Sequence, residues 1–223
     1  RSMAGMQQLE LLRLANNRLR RLPEWLFELP QLTWLAVAGN PAFEPPPPRK
    51  SLSAIALADL ALQQKLGEGT SGIVHRALWR DEVVAVKMYK QALSSDGRNI
   101  DEVVASSAVE HPHIVKLLGF FETPSLGSVL EWTDGYAALG MPPSFDTVTR
   151  DTYAPGTSFS SAFVQRSACG VSAAAAHLHA RYMSHGDLYA HNILVRPSGD
   201  AKLGDFGAAF YYGPDSAHAE RYQ

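Results

Sequence analysis

Three short segments of the chain carry residues that could together handle a phosphate. They are Gly67-Glu68-Gly69-Thr70-Ser71-Gly72-Ile73-Val74, then Ala85-Val86-Lys87, then His185-Gly186-Asp187 through Asn192 to Asp205-Phe206-Gly207. Phosphoryl transfer needs covered phosphates, an ammonium group, a metal held by hard oxygen ligands and an oriented acceptor hydroxyl. The segments supply these groups, and one alone could be chance, but the set predicts a phosphoryl-transfer site.

The glycine spacing accounts for the phosphate cover. Gly67, Gly69 and Gly72 would let backbone amides approach phosphate oxygens that a Cβ atom would obstruct. Taken alone, this motif is also compatible with a glycine-rich hairpin that binds no ligand. A dinucleotide fingerprint is less favoured, because the following run, residues 82–88, is short, rich in valine and reads as a strand rather than a helix. Lys87 lies on that predicted strand, where its charge can pair with phosphate.

Taken together, the segments resemble the signature of protein kinases. The resemblance implies that Lys87 is the strand lysine and that it pairs with an acid on the following helix. Glu102 fits, since it lies nine residues before His111-Pro112-His113-Ile114-Val115. An ordinary solvated helix acid is the alternative for Glu102, and Glu110, at the predicted helix end, is the competing candidate.

The same resemblance assigns the catalytic loop and the metal ligands. Asp187 would accept or orient the proton of the acceptor hydroxyl, while Asn192 and Asp205 would bind Mg²⁺. The residues between them predict a hairpin of strands 193–195 and 201–203, which would bring both ligands to one end. The substrate and cofactor implied are ATP and Mg²⁺.

The resemblance also outlines a nucleotide pocket beyond the three glycines and Lys87. Plain core packing is the alternative for its apolar members, and the insert at residues 135–155 reads as a loop. The pocket would be roofed by Val74 and Ala85, floored by Leu194, backed by Leu130 as gatekeeper, and edged by Glu131-Trp132-Thr133 as the hinge.

Departures from the family pattern bear on regulation and on the acceptor. Gly186 replaces an arginine that in many kinases pairs with a phosphate on the activation segment, so switching by such a phosphate is not expected. Tyr189 and His191 leave the acceptor class undecided, although we favour Ser or Thr of a protein over Tyr. His-Gly-Asp-Leu also resembles small-molecule kinases such as aminoglycoside phosphotransferases. Ser106, one turn beyond Glu102, predicts a loosely docked helix and keeps a pseudokinase scaffold as an alternative.

The N-terminal part follows a different pattern, with a period of 23 residues. This pattern resembles leucine-rich repeats, about two units of which are present, and it implies that the asparagines bind backbone inside each turn. The strand residues would form a concave row that serves either as an interaction surface for a partner or as a packing face against the rest of the chain. The repeated residues are Leu12, Leu14 and Asn17, then Leu35, Val37 and Asn40, and the row comprises Arg13, Ala15, Trp34, Ala36 and Ala38.

A helix is predicted from Ser160 to about Tyr182, with apolar residues at helical spacing. Only sixteen residues follow Gly207, so we expect an incomplete large lobe. A missing large-lobe segment or a second chain would then cover the apolar face of this helix. That face comprises Val164, Ala168, Val171, Ala175 and Leu178.

The predicted fold class is α+β: a two-lobed protein kinase-like fold, its large lobe incomplete in this chain, preceded by a short leucine-rich repeat segment. The predicted divisions are repeats at 1–43, a proline-rich linker at 44–59, a small lobe at 60–132 and a partial large lobe at 133–223.

Composition narrows the partners and the compartment. The chain has 223 residues, 46% of them hydrophobic, and a net charge of −2, which provides no basic footprint for nucleic acid. Its single cysteine, Cys169, cannot form an internal disulfide, and no apolar run is long enough for a membrane span. We therefore expect a cytoplasmic protein without nucleic-acid or membrane partners, and the resemblance to protein kinases implies a protein substrate.

Overall fold

The computed structural model describes residues 3–44, 53–144 and 146–213. Most of the predicted proline-rich linker, including Pro45-Pro46-Pro47-Pro48, lies outside the described residues, as does the segment 214–223. Within the described residues the strands are short near both ends of the chain and long in the middle.

The first half contains β1 (Leu11–Arg13), β2 (Trp34–Ala36), β3 (Leu60–Glu68), β4 (Gly72–Trp79), β5 (Glu82–Tyr89), α1 (Asn99–Ser107), β6 (Leu117–Phe121) and β7 (Gly127–Glu131). The second half contains β8 (Ala137–Ala138), α2 (Ser161–His179), β9 (Met183–Ser184), β10 (Ile193–Val195), β11 (Ala201–Leu203) and β12 (Phe210–Tyr211). Short 3₁₀ turns span Met3–Gly5, Glu24–Glu28, Pro41–Phe43, Leu57–Asp59 and Ala190–Asn192.

The middle of the chain forms a five-stranded antiparallel sheet in the order β3-β4-β5-β7-β6. Its valine-rich strand β5 confirms the strand predicted over 82–88 and runs next to β4 and β7. One face of the sheet is closed by a core that includes Ala77, Val84, Val86 and Val129, all at most 1% exposed. β-branched side chains suit such a pleated, half-buried surface.

The second half is organised around α2, which packs against β11 and β9. Ser160 caps this helix, because its hydroxyl accepts a hydrogen bond from the Phe163 amide at 3.2 Å. Strands β10 and β11 pair antiparallel, with Ile193 opposite Leu203, which confirms the predicted hairpin.

The prediction of which residues form the buried face of α2 is only partly correct. Val164 is 50% exposed and Ala168 is also exposed, whereas the buried positions are Ser167, Gly170, Ala174 and Leu178. Small side chains allow the helix to approach its neighbours closely; a Cβ atom on Gly170 would lie 2.8 Å from Nδ1 of His113. The expectation that another segment or chain covers Val164 stays a prediction. No helix among the described residues is long and apolar enough to cross a membrane.

The N-terminal segment, residues 3–44, forms two successive coils in which β1 and β2 pair in parallel, Leu12 opposite Leu35. Asn40 is fully buried, and its amide donates to the carbonyls of Leu14 at 2.8 Å and Val37 at 2.7 Å. Its Oδ1 accepts from the Leu19 amide at 3.0 Å. The predicted binding of backbone groups by this asparagine is therefore confirmed.

The hydrophobic core of the N-terminal segment is shared with residues that follow Asp205-Phe206-Gly207. Phe210 and Tyr212 pack among the segment's leucines, and the rings of Phe43 and Phe210 meet edge to face at 5.4 Å. The strand-face residues Ala36 and Ala38 are at most 2% exposed. The predicted concave row is therefore partly a packing face within the chain.

Candidate functional site

The structure brings together three charged residues that are distant in sequence. Lys87 on β5 donates from Nζ to Glu102 Oε1 of α1 at 2.7 Å and to Asp205 Oδ1 at 3.2 Å. The side chains of Lys87 and Glu102 are only 8% and 7% exposed, whereas that of Asp205 is 45% exposed. The lysine therefore lies between a buried acid and a partly exposed acid.

Electrostatics keep Lys87 and Asp205 charged, whereas burial raises the pKa of Glu102 above its ordinary value even though Lys87 lowers it. Desolvation lowers the pKa of Lys87, but the neighbouring carboxylates Glu102 and Asp205 outweigh it and raise the pKa above its ordinary value. Desolvation raises the pKa of Asp205, yet Lys87 and the Gly207 amide hold it below the ordinary value. Lys87 is therefore a cation and Asp205 an anion at neutral pH.

Asp187 and Asn192 form the second part of the site. The Asn192 amide donates both to the Asp187 backbone carbonyl and to Asp187 Oδ2, each at 2.9 Å. Burial and the nearby charge of Asp205 raise the pKa of Asp187 to about 7, although the hydrogen bond from Asn192 lowers it. The hairpin β10–β11 connects Asn192 to Asp205, and Gly204 N donates to Asn192 O at 2.9 Å. The two predicted metal ligands therefore lie at one end of the hairpin.

The donor set suits Mg²⁺. Because the Asn192 Nδ2 is engaged by Asp187, its amide oxygen is the atom left to bind a cation. Asp205 uses Oδ1 for Lys87 and for the Gly207 amide, while no hydrogen bond to Oδ2 is found among the described residues. Two oxygen ligands together with substrate phosphates and water are a usual set for Mg²⁺. No group of three or more His, Cys, Asp or Glu side chains that could hold a metal ion occurs in the described ranges.

The glycine segment forms the tip between β3 and β4. Gly69 N donates to Gly72 O at 2.9 Å, and Lys90 Nζ donates to Gly69 O at 3.0 Å. A Cβ on Gly72 would come within 2.5 Å of the Met88 carbonyl, whereas the space beside Gly67 and Gly69 is open. At this tip, packing requires a glycine at position 72, whereas the backbone of Gly67 and Gly69 is accessible to a ligand.

Three of the apolar residues predicted to surround the nucleotide lie on β5 or on the strands paired with it. Val74 pairs with Lys87 across β4 and β5, and Ala85 pairs with Leu130 across β5 and β7. Leu194, on β10, is half-buried, as are Val74, Ala85 and Leu130.

Two of the three predicted hinge residues, Glu131 and Trp132, make contacts of their own. Glu131 pairs with Lys202 at 2.6 Å and accepts from the Lys116 amide at 2.9 Å. The Arg76 guanidinium lies 5.8 Å from the ring centre of Trp132. The predicted roles in nucleotide binding, both of the four apolar pocket residues and of the hinge residues, stay predictions.

The expected loose docking of α1 is not observed. Despite Ser106, which is 8% exposed, the helix is held by the ion pair of Glu102 with Lys87. Phe206 is buried and packs its ring against that of His185 at 5.0 Å. Glu110, the competing candidate, lies beyond the end of α1 and pairs with Lys116 instead.

Sequence reasoning missed two further parts of the site. Tyr89 and Ser128 share a buried hydroxyl hydrogen bond of 2.9 Å, and Lys87 Nζ lies 5.3 Å from the Tyr89 ring centre. Asp151 accepts a hydrogen bond from the Ala190 amide at 2.8 Å and so connects the insert to the predicted catalytic loop. The position of Tyr89, two residues after Lys87 on the same strand face, could have indicated the first contact; no local signal indicates the second.

Comparison with known proteins agrees with this geometry. A family model described as "Protein kinase domain" matches residues 60–222. Among curated proteins, the chain is 29% identical over 167 residues to "Cyclin-dependent kinase D-1" of Arabidopsis thaliana, covering 70% of the chain and 38% of that protein. It is 27% identical over 191 residues to human "Cyclin-dependent kinase 10", covering 83% of the chain and 51% of that protein.

A third relative is "Serine/threonine-protein kinase GRIK1" of Arabidopsis thaliana, at 27% identity over 177 residues, covering 71% of the chain and 41% of that protein. The chain thus spans about half or less of the length of these relatives. The matched residues contain every predicted catalytic and metal-binding residue described above. The chain belongs to the protein kinase family.

Proposed function

We propose that this protein transfers the γ-phosphoryl group of ATP, with Mg²⁺, to a hydroxyl group of a protein, with Ser or Thr preferred over Tyr. The observation that carries the proposal is the convergence of Glu102, Lys87 and Asp205 within hydrogen-bond distance, next to the pair of Asp187 and Asn192. A structural ion pair alone does not require the further carboxylate of Asp187, held by an asparagine at one end of the β10–β11 hairpin.

Each residue then has a defined task. Lys87 would bind phosphate oxygens while Glu102 holds its ammonium in place. Asn192 and Asp205 would hold Mg²⁺, which neutralises charge on the phosphates. Asp187 would orient the acceptor hydroxyl and take its proton, and a pKa of about 7 suits a proton acceptor near neutral pH.

A protein acceptor is supported by family membership, and the preference for Ser or Thr is supported by one relative whose name describes a serine/threonine kinase. The sequence His185-Gly186-Asp187 keeps a small-molecule acceptor as the second candidate. We further propose that residues 3–44 are leucine-rich repeats that dock partners. The spacing of 23 residues between the paired strands β1 and β2 and the buried Asn40 both fit such repeats. A cytoplasmic location stays part of this proposal.

An acceptor panel tests the reaction class. The full-length protein is incubated with Mg²⁺ and γ-labelled ATP, together with peptides that contain a single Ser, Thr or Tyr, and separately with an aminoglycoside. Label on the Ser and Thr peptides supports the proposal. Label confined to the aminoglycoside establishes the second candidate, and bound nucleotide without transfer to any acceptor identifies a pseudokinase.

A further inference from the structure

A cavity lies where the N-terminal segment meets the catalytic loop. It has a volume of about 210 Å³ and is lined by Thr33 and Trp34 of the N-terminal segment, by residues 148–151 of the insert and by residues 186–189 of the catalytic loop. Asp187, the proposed proton acceptor, therefore lies in its wall. Pockets for drug-sized molecules occupy roughly 300–1,000 Å³, so this cavity fits one side chain better than a whole small molecule.

Direct contacts join the three walls of the cavity. The Trp34 ring centre lies 6.2 Å from that of Tyr189. Thr149 Oγ1 donates to the carboxylate of Glu10 at 2.8 Å, which connects the insert to the N-terminal segment. The opening is thus built jointly by segments that are far apart in sequence.

A cation from the N-terminal segment fixes the aromatic wall. The Arg13 guanidinium lies 5.2 Å from the ring centre of Trp34 and pairs with Asp96 at 3.1 Å. Asp96 belongs to the loop that precedes α1, the helix that carries Glu102. Trp34 is therefore held in position from the side of the small lobe.

The polar groups of the cavity indicate what it could accept. Arg150 is exposed and forms no ion pair with a carboxylate among the described residues; its guanidinium donates to the Asp146 backbone carbonyl at 2.7 Å. Asp151, by contrast, is engaged by the Ala190 amide. The buried indole N–H of Trp34 also has no acceptor within the described part of the chain. The wall thus offers a cation that an acidic group could pair with.

We propose that the N-terminal segment forms one wall of the acceptor site, so that a Ser or Thr of a protein substrate enters between Trp34 and Asp187, with an acidic neighbouring residue paired to Arg150. This inference rests on the proposed function, which it deepens by naming the substrate class. The segment then acts in acceptor selection directly, in addition to packing beneath Phe210.

Peptide kinetics on the full-length protein test the proposal. The peptides carry one Ser or Thr and are flanked by Asp, Ala or Lys; the variants are Trp34→Ala and Arg150→Ala. Trp25→Ala removes an indole of the same segment that does not line the cavity, and Arg18→Ala removes an exposed arginine elsewhere. Both serve as controls, and thermal unfolding is recorded for every variant.

We expect Trp34→Ala to lower kcat/KM for the acidic peptides by about tenfold, the size of one lost contact of moderate strength, with the KM for ATP unchanged. Arg150→Ala should remove the preference for Asp over Ala while leaving the Ala-flanked peptide unaffected. The controls should match the wild type.

Three results would overturn the inference while the proposed function stands: wild-type kinetics in Trp34→Ala, an equal loss in Trp25→Ala, or higher activity in Trp34→Ala, which would mean that the segment blocks the site. An unchanged preference for Asp in Arg150→Ala would overturn the acidic substrate class. A wild-type protein that labels no peptide would instead refute the proposed function and, with it, the inference.

Discussion

The shared core of the N-terminal segment and the residues after Gly207 leads to a quantitative prediction for Phe210→Ala. Phe210 is 6% exposed, and replacing a buried Phe with Ala costs about 3–5 kcal/mol. Its edge-to-face contact with Phe43 accounts for about 0.5–1.5 kcal/mol of that loss. Because domains are stable by only about 5–15 kcal/mol, the variant should lose a large fraction of its free energy of unfolding.

Urea unfolding followed by tryptophan fluorescence measures this loss, since Trp25 and Trp34 both belong to the N-terminal segment. Phe159→Ala is the matched control: Phe159 is 40% exposed and should lose less than about 1 kcal/mol. Phe210→Leu gives a milder version in case the alanine variant does not fold. Equal losses in Phe210→Ala and Phe159→Ala would show that the segment does not pack on Phe210.

Three further predictions concern single residues. Gly186 has φ +76°, and a Cβ there would lie 2.2 Å from the Ala208 carbonyl oxygen, whereas Gly156 has φ +80° with open space around it. Gly186→Ala should therefore lower the free energy of unfolding by more than the about 1–2 kcal/mol expected for Gly156→Ala. Urea unfolding measures both losses, and equal losses would refute the clash. In the same assay, Asn40→Ala should lower the free energy of unfolding by about 2–4 kcal/mol, because it leaves buried backbone groups unpaired. Asn17 is exposed, so Asn17→Ala should lower it by less than about 1 kcal/mol. Equal losses would contradict the role of Asn40. Burial and nearby cationic groups lower the pKa of His177 below 6.5. The unfolded state therefore binds more protons than the folded state, and the free energy of unfolding should fall as the pH drops below about 6.5. If the melting temperature of His177→Gln depends on pH in the same way as that of the wild type, this prediction is refuted.

Local patterns were sufficient to predict several elements. The strand at 82–88 and the hairpin of β10 and β11 follow from short β-branched runs and a Pro-Ser-Gly-Asp turn, and both are observed. The helix predicted over 160–182 is observed as Ser161–His179. Spacing relative to known motifs also identified Glu102 ahead of Glu110 as the acid that meets Lys87.

Several contacts between residues distant in sequence could not be predicted. The buried face of α2 consists of Leu178 and of the small residues Ser167, Gly170 and Ala174. Small side chains let neighbouring groups approach the helix closely, which the spacing of apolar residues does not predict. The cavity depends on contacts such as that of Glu10 with Thr149, which no local periodicity encodes. Docking of α1 depends on the ion pair of Glu102, which overrides the expectation from Ser106.

The most direct test of the account is transfer of label from γ-labelled ATP by the full-length protein beside its Asp187→Ala variant, with nucleotide binding measured for both. We predict Mg²⁺-dependent labelling of the protein or of a peptide by the wild type. Labelling should fall by at least about 100-fold in the variant, which should still bind ATP. Equal labelling in the two proteins would contradict the role of Asp187, and ATP binding without transfer in the wild type would contradict the proposed reaction.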